Sequence, residues 1–281
     1  MPPRGARPPE WRPMSTSFGD LMVMHPTGDG EFRAEPPGSG FLYGGMTMGL
    51  AVSAAGRAAP DGLVPMSLRC QFLSFGELAP MRIGVERLHA TRSFAIERVS
   101  VRQRDEDALV ATAEVTFHRP EEGVDHQHHA AADVPMPDEL PTTEGVRFGG
   151  DFPVDPFDVR AAHDRSPASP ERFHPFWARS REPLADSPTA DDAALAFLSD
   201  YLVIHSPFEP GADHGEGVRS YTLEHTLWFH RAIDAHSWML FDCEPLTWSG
   251  GRYTSRGTVH DEAGSLLASF TQVGFVRPVR T

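Results

Sequence analysis

The chain contains no lysine and no asparagine, so all 25 of its basic residues are arginine. Both missing residues have AT-rich codons, and their absence reads as pressure toward a GC-rich coding sequence rather than as chemistry. The chemical consequence holds all the same. Without lysine there is no phosphate loop ending in Gly-Lys-Ser/Thr, no pyridoxal Schiff base and no Ser-Lys dyad. Long apolar runs are also missing: nothing approaches the ~18 residues of a membrane-spanning helix. Residues 1–14 are rich in Pro and Arg but have no apolar core, so they do not read as a signal peptide. Cysteine is scarce, with Cys70 and Cys243 alone. Both fall in predicted strands and read as buried free thiols in a reducing cytoplasm rather than as a disulfide framework. Basic charge is in deficit, 25 residues against 39 acidic ones, for a formal net charge of -14. That excludes a general nucleic-acid binder, which needs a basic footprint, while a local arginine cluster could still grip a phosphorylated ligand.

What is present is an ordinary globular composition: 281 residues, 40% apolar and 10% aromatic. This length suits one large domain or two of about 100 residues each around a linker. The pattern favours two domains, 14–120 and 189–281. Between them, residues 121–188 are dense in Pro, Asp, His and Glu, including Asp125-His126-Gln127-His128-His129, Pro135-Met136-Pro137, Pro153-Val154-Asp155-Pro156 and Ser166-Pro167. Such composition buries little and reads as a long linker over the surface. Compact domains rarely carry a linker of this length, and bridging two domains that lie side by side would explain it.

Each patterned stretch repeats one plan. A helix comes first: 44–57, with Met46, Met48, Leu50, Ala51, Val52, Ala54 and Ala55 round most of its circumference, and then 191–205. In the second helix Thr189 is the expected N-cap, Asp191 and Asp192 favour the positive helix end, and Ala194, Phe197, Leu198 and Tyr201 recur at helical spacing. A helix this apolar has to be enclosed. Strands follow over 67–75, 81–89, 93–104 and 109–119, and again over 219–230, 238–248, 253–261 and 265–277. Alternation is clear where Tyr221, Leu223, Leu227 and Phe229 interleave with Thr222, Glu224 and Thr226. Gly76, Asp105-Glu106-Asp107, Gly250-Gly251 and Asp261-Glu262-Ala263-Gly264 supply the turns. The halves also match weakly in sequence: Phe72 with Phe229, Arg98 with Arg256, and His118 with Gln272. A helix and an antiparallel meander, given twice, predict an α+β fold of two helix-wrapping sheets joined into one continuous sheet.

The second half also carries Phe197-Leu198-Ser199-Asp200, then Thr222-Leu223-Glu224-His225-Thr226-Leu227-Trp228-Phe229-His230-Arg231, and last Leu267-Ala268-Ser269-Phe270-Thr271-Gln272-Val273-Gly274. These runs resemble the acyl-CoA thioesterase II family, the double-hotdog thioesterases. Phe41-Leu42-Tyr43-Gly44-Gly45 and Phe72-Leu73 resemble the family's first half. The resemblance implies a double hotdog that hydrolyses acyl-CoA, with Asp200 activating water held by Thr222 and Gln272. It implies no cofactor and no metal. Met46 stands where the family has a Gln, His118 ends the first meander where the family has another, and Ala232 replaces a Pro. The first two departures place a single active site in the second half.

Each candidate has a plainer alternative. Asp200 could be a solvated charge, yet a carboxylate with an ordinary pKa of about 4 is ionised at pH 7 and can take a proton from water. A hydroxyl and an amide can fix that water, and a helix-start N–H can polarise the thioester carbonyl. The cluster at 125–129 offers metal-ligating side chains, but without a His-Glu-x-x-His pattern it reads as solvated linker. His225 and His230 invite a triad, but no Gly-x-Ser-x-Gly elbow exists, and strand histidines bonded to backbone are expected instead. The leading expectation is a cytoplasmic hydrolase acting on an acyl-CoA substrate, without nucleic acid or a membrane span, its homo-oligomerisation left open. The alternative is a non-catalytic acyl-CoA-binding protein of the same fold.

Overall fold

Two apolar helices and two sets of four alternating strands are what the pattern dictates, and all of them form. The computed structural model describes residues 17–103, 108–141, 156–162, 174–206 and 218–278. The expected start at Met14, the Asp105-Glu106-Asp107 turn, Pro153 to Asp155 and Ser166-Pro167 lie outside the described residues. The chain opens with α1 (Phe18–Leu21), β1 (Met24–Gly28), β2 (Glu31–Ala34) and α2 (Gly44–Ala58). The first meander is β3 (Val64–Phe72), β4 (Met81–Ala90), β5 (Phe94–Gln103) and β6 (Ala108–His118). Then come β7 (Phe157–Ala161), β8 (Phe176–Ser180) and α3 (Ala190–Ser199). The second meander is β9 (Val218–Phe229), β10 (Met239–Ser249), β11 (Arg252–Asp261) and β12 (Leu266–Pro278). Among the described residues, no helix is long and apolar enough to cross a membrane.

All twelve strands form one sheet in the order β1-β2-β4-β5-β6-β3-β9-β12-β11-β10-β8-β7. The halves join where β3 pairs antiparallel with β9, Leu68 facing Leu227 and Cys70 facing His225. Pairing like strands of the two repeats removes one open edge from each. Read outward from that seam, the order is the same on both sides. The β7–β8 hairpin therefore corresponds to β1–β2, and the second repeat begins inside the stretch expected to be a linker. Its strands are only five residues long and end in Pro-rich sequence, too little for alternation to register. They are nevertheless buried, with Phe157, Phe176 and Trp177 almost wholly inside.

The repeat's register corrects one pairing. Phe72 faces Ala111 as Phe229 faces Ala268, and further along Leu68 faces Val115 as His225 faces Gln272. Val115, not His118, is the counterpart of Gln272; His118 lies beyond it, opposite Val64 and Phe94. Arg98 and Arg256 do correspond, facing Glu114 and Thr271 on the matching strands. Cys70 is a buried free thiol, whereas Cys243 is free but only half-buried.

Helix α2 is enclosed as expected, buried continuously from Gly45 to Ala55. It lies antiparallel to α3: Gly45, Gly49 and Gly56 meet Phe197, Ala193 and Thr189 in turn. Thr189 does sit at the N-cap of α3, but its hydroxyl donates across to the Val52 carbonyl at 3.2 Å instead of capping its own helix. The expected helix to His205 stops at Ser199, with Asp200 as C-cap and Leu202 at φ 63°. A left-handed Leu is strained. The break turns the chain at the point where Asp200 meets the start of α2.

The approach of the helices is set by the missing side chain of Gly45, since a Cβ there would lie 2.2 Å from the Phe197 carbonyl oxygen. Backbone cannot yield as a side-chain tip does. Gly45→Ala should destabilise the fold by about 1–3 kcal/mol, outweighing the gain in helix propensity of ~1 kcal/mol. Thermal unfolding should show the midpoint several degrees lower; an unchanged or higher midpoint would contradict this packing.

Candidate active site

The start of α2 has no cap of its own. Tyr43, at its N-cap, makes no side-chain bond to the helix's own amides. The cap comes from the other half of the chain: the Asp200 carboxylate accepts the Gly45 N–H. In return the Tyr43 hydroxyl donates to the Phe197 carbonyl at 2.9 Å, satisfying an acceptor near the end of α3. Gly44 makes room for the carboxylate, because a Cβ there would stand 2.6 Å from Asp200 Oδ2.

Asp200 is only 7% exposed. Burial pushes its pKa up to about 7, against the opposing pull of the Gly45 N–H. The expectation of an ordinary carboxylate, fully ionised at pH 7, is therefore corrected. Desolvation outweighs the positive helix end. A base poised near the working pH is well matched to proton transfer. Burial, and then the nearby Asp200 charge, lift the Tyr43 phenol well above its usual value, so it stays protonated.

Thr222 reaches the site through a β-bulge. Gln272 faces His225 and Val273 faces Glu224, but Gly274 faces Thr222, leaving Leu223 as the extra residue. Strict alternation would put Thr222 and His225 on opposite faces; the bulge restores Thr222 to the face of Gln272. The same irregularity occurs in β3 at Met66. Gln272 is fully buried. Its Nε2 donates to Thr222 Oγ1 at 3.1 Å and to the Tyr253 hydroxyl at 2.8 Å. Its Oε1 lies 2.8 Å from His225 Nδ1, and His225 Nε2 lies 3.1 Å from Ser199 Oγ. Burial drives the His225 pKa down to about 4, so the ring is neutral in the working range. The expectation that the strand histidines bond to backbone is corrected: His225 bonds two side chains, and His230 Nε2 lies 2.9 Å from Ser269 Oγ.

A cavity of about 500 Å³ opens onto these groups, lined by Asp200 and Thr222 together. The first half contributes Tyr43, Gly44, Phe72 and Phe75, and the second contributes Leu202, Tyr221 and Phe275. The site is thus built between the halves rather than within the second one. Gln272 does not line it and lies behind Thr222, bonded to its hydroxyl. Apolar side chains make most of the wall, and Phe41, Leu73 and Phe75 are exposed at the mouth. Phe75 also packs edge-on against Tyr221, with ring centroids 4.5 Å apart.

Tyr253, His225 and Ser199 join Gln272 and Thr222 in one network that no local sequence pattern marks. Only the spacing of His225 and Tyr253 on alternating strands hints at an inward face. The 125–129 cluster lies elsewhere. Gln127 ties it to the β11–β12 turn through Gly264 and Leu266, and Asp125 pairs with Arg231. Among the described residues, no group of His, Cys, Asp and Glu is arranged to hold a metal.

Residues 33–118 match the family model described as the acyl-CoA thioesterase N-terminal domain, and residues 120–276 match that of the C-terminal domain. Acyl-CoA thioesterase 2 of Haemophilus influenzae is 28% identical, the alignment covering 92% of this chain and 96% of that protein. The crystal structure of an acyl-CoA thioesterase II from Mycobacterium marinum superposes with a TM-score of 0.75 at 25% identity, covering 92% of this chain and 96% of that one. A protein of unknown function with a hot dog fold from Alicyclobacillus acidocaldarius shares the fold, with a TM-score of 0.70 at 22% identity over 94% and 98% of the two chains.

The raised pKa of Asp200 carries a stability consequence. With an unfolded value near 3.9 and a folded value of about 7, the native state holds a proton that the unfolded state releases between those pH values. Its contribution to stability is complete below about pH 4 and is lost as pH rises through 7. Asp200→Asn removes the buried charge without changing size. It should raise the unfolding free energy at pH 8 by on the order of 2–4 kcal/mol, with the gain fading toward pH 4. A variant less stable than the wild type at pH 8 would refute the burial cost.

Proposed function

The chain belongs to the acyl-CoA thioesterase II family, with a double-hotdog fold, and from that premise we propose that Asp200 is the general base of acyl-CoA hydrolysis. The observation that carries this reading is the shared cavity: a buried carboxylate of pKa about 7 and a hydroxyl line the same apolar space. The exposed Phe41, Leu73 and Phe75 at its mouth suit a fatty acyl chain, which gains by leaving water.

In the proposed reaction, water lies between Asp200 and Thr222. Asp200 takes one proton as the water oxygen bonds to the thioester carbonyl carbon. Negative charge develops on the carbonyl oxygen, next to the positive start of α2 where Gly44 lines the cavity. The C–S bond then breaks, and the proton held by Asp200 passes to the departing CoA sulfur. Fatty acid and CoA leave, and no cofactor takes part. Thr222 orients the water, and Gln272 holds Thr222 by its amide N–H.

Steady-state hydrolysis of a medium-chain acyl-CoA, followed through the released thiol, tests the reading. Asp200→Asn should lower turnover by roughly 10²–10⁴-fold while remaining folded. Turnover of the wild type should rise through pH 7 as the carboxylate ionises. Thr222→Ala and Gln272→Ala should each cost less, and the double variant should lose less than the product of the two effects. A folded Asp200→Asn protein with wild-type turnover would end this mechanism. Binding of acyl-CoA without thiol release by the wild type would instead favour a non-catalytic carrier.

The first half should be inert, since Leu68 and Val115 replace the His225–Gln272 pair there. Calorimetric titration with a non-hydrolysable acyl-CoA analogue is expected to give one tight site per chain. Two equal sites would contradict this.

A further inference from the structure

The amide of Gln272 touches three groups, and which way it points decides what Thr222 offers to the cavity. With Nε2 toward Thr222 and Tyr253, both amide protons are spent on the two hydroxyl oxygens. The Thr222 and Tyr253 hydroxyls also bond each other; with the Tyr253 proton directed at Thr222 Oγ1, Thr222 keeps its own proton for whatever occupies the cavity. Were the amide turned over, its carbonyl would draw that proton inward, and Thr222 would face the cavity as an acceptor. A carboxamide has nearly the same shape in either orientation but exchanges donors for an acceptor, so its hydrogen-bond partners must choose.

The neighbour able to choose is His225. It is fully buried and neutral, stacked on Phe270 with ring centroids 5.3 Å apart, so its ring cannot swing away. A neutral imidazole carries one proton and one bare nitrogen. Ser199 Oγ lies 3.1 Å from His225 Nε2 and donates to the Ala196 carbonyl at 2.9 Å, so it does not decide the matter. On the other side Gln272 Oε1, 2.8 Å from Nδ1, can only accept, and with the amide oriented as it is the imidazole proton sits on Nδ1. Ser199 is also the last residue of α3, adjacent to Asp200, so the same ring ties the segment carrying the base to the strand carrying Gln272.

We propose that His225 is a positioning residue: in its Nδ1–H form it fixes the Gln272 amide so that Thr222 presents a hydroxyl proton to the substrate cavity. The inference rests on the thioesterase reading for its kinetic consequence, but not for the position of the proton. The relay belongs to one half only, because the corresponding residues in the first repeat, Leu68 and Val115, have no hydrogen-bonding side chains.

Two substitutions separate the ring's nitrogens. Asn places a carboxamide near the position of Nδ1 and nothing near Nε2, whereas Gln reaches toward Ser199 and leaves Gln272 without its donor. His225→Gln should lower kcat by about 10²-fold with KM changed little, as expected when a reacting group is held slightly out of place. His225→Asn should retain at least about tenfold more turnover than His225→Gln. Equal losses in the two variants, or wild-type kcat in His225→Gln, would overturn the proposal. A second measurement needs no variant to fold: nitrogen-15 NMR of histidine-labelled wild-type protein should show the His225 proton on Nδ1 from pH 6 to 8. A proton found on Nε2 would also overturn it. That spectrum is recorded without substrate, so its failure is distinct from a failure of the wild-type protein to hydrolyse acyl-CoA.

Discussion

The structure turns on one reciprocal contact between helices α2 and α3. The Asp200 carboxylate closes the exposed amide end of α2, and the Tyr43 hydroxyl closes a carbonyl near the end of α3. Neither helix finishes its own hydrogen bonding there, so neither half is complete alone. The contact requires the helices to run antiparallel and close, which Gly44 and Gly45 permit by having no side chains to intervene. It also requires α3 to stop at Ser199, which the left-handed turn at Leu202 accomplishes. The same carboxylate that joins the halves is the one carried into the cavity, and its burial gives it a pKa near neutrality. Structural role and proposed chemical role have one cause.

Around that contact the two repeats have diverged in polarity rather than in shape. Both halves of the sheet keep the strand order, and both keep a bulge at the same place, Met66 in β3 and Leu223 in β9. The first repeat fills the space beside its bulge with Leu68 and Val115. The second places His225 and Gln272 there, with Tyr253 and Ser199 completing every hydrogen bond of the amide and ring. A buried polar cluster is tolerable only when its members are satisfied, and this one is. The shared sheet accommodates both arrangements, the apolar one in the first half and the polar one in the second.

The sequence by itself determined the repeat, the two enclosed helices and the eight meander strands, because each rests on a local period of apolar residues that packing then reinforces. Asp200, Thr222 and Gln272 were legible as candidates through the runs around them, and the first two do line one cavity. Tertiary structure alone decided the rest. The β7–β8 hairpin was invisible because its strands are short and sit amid Pro-rich sequence, yet an open edge beyond β10 was available to pair them. The true counterpart of Gln272, Val115, emerged only from cross-strand register, which a bulge shifts and a residue count does not see. The pKa of Asp200 and the side-chain partners of His225 depend on what surrounds them after folding. Burial and hydrogen bonding are made by residues far apart in the chain, and no local pattern encodes them.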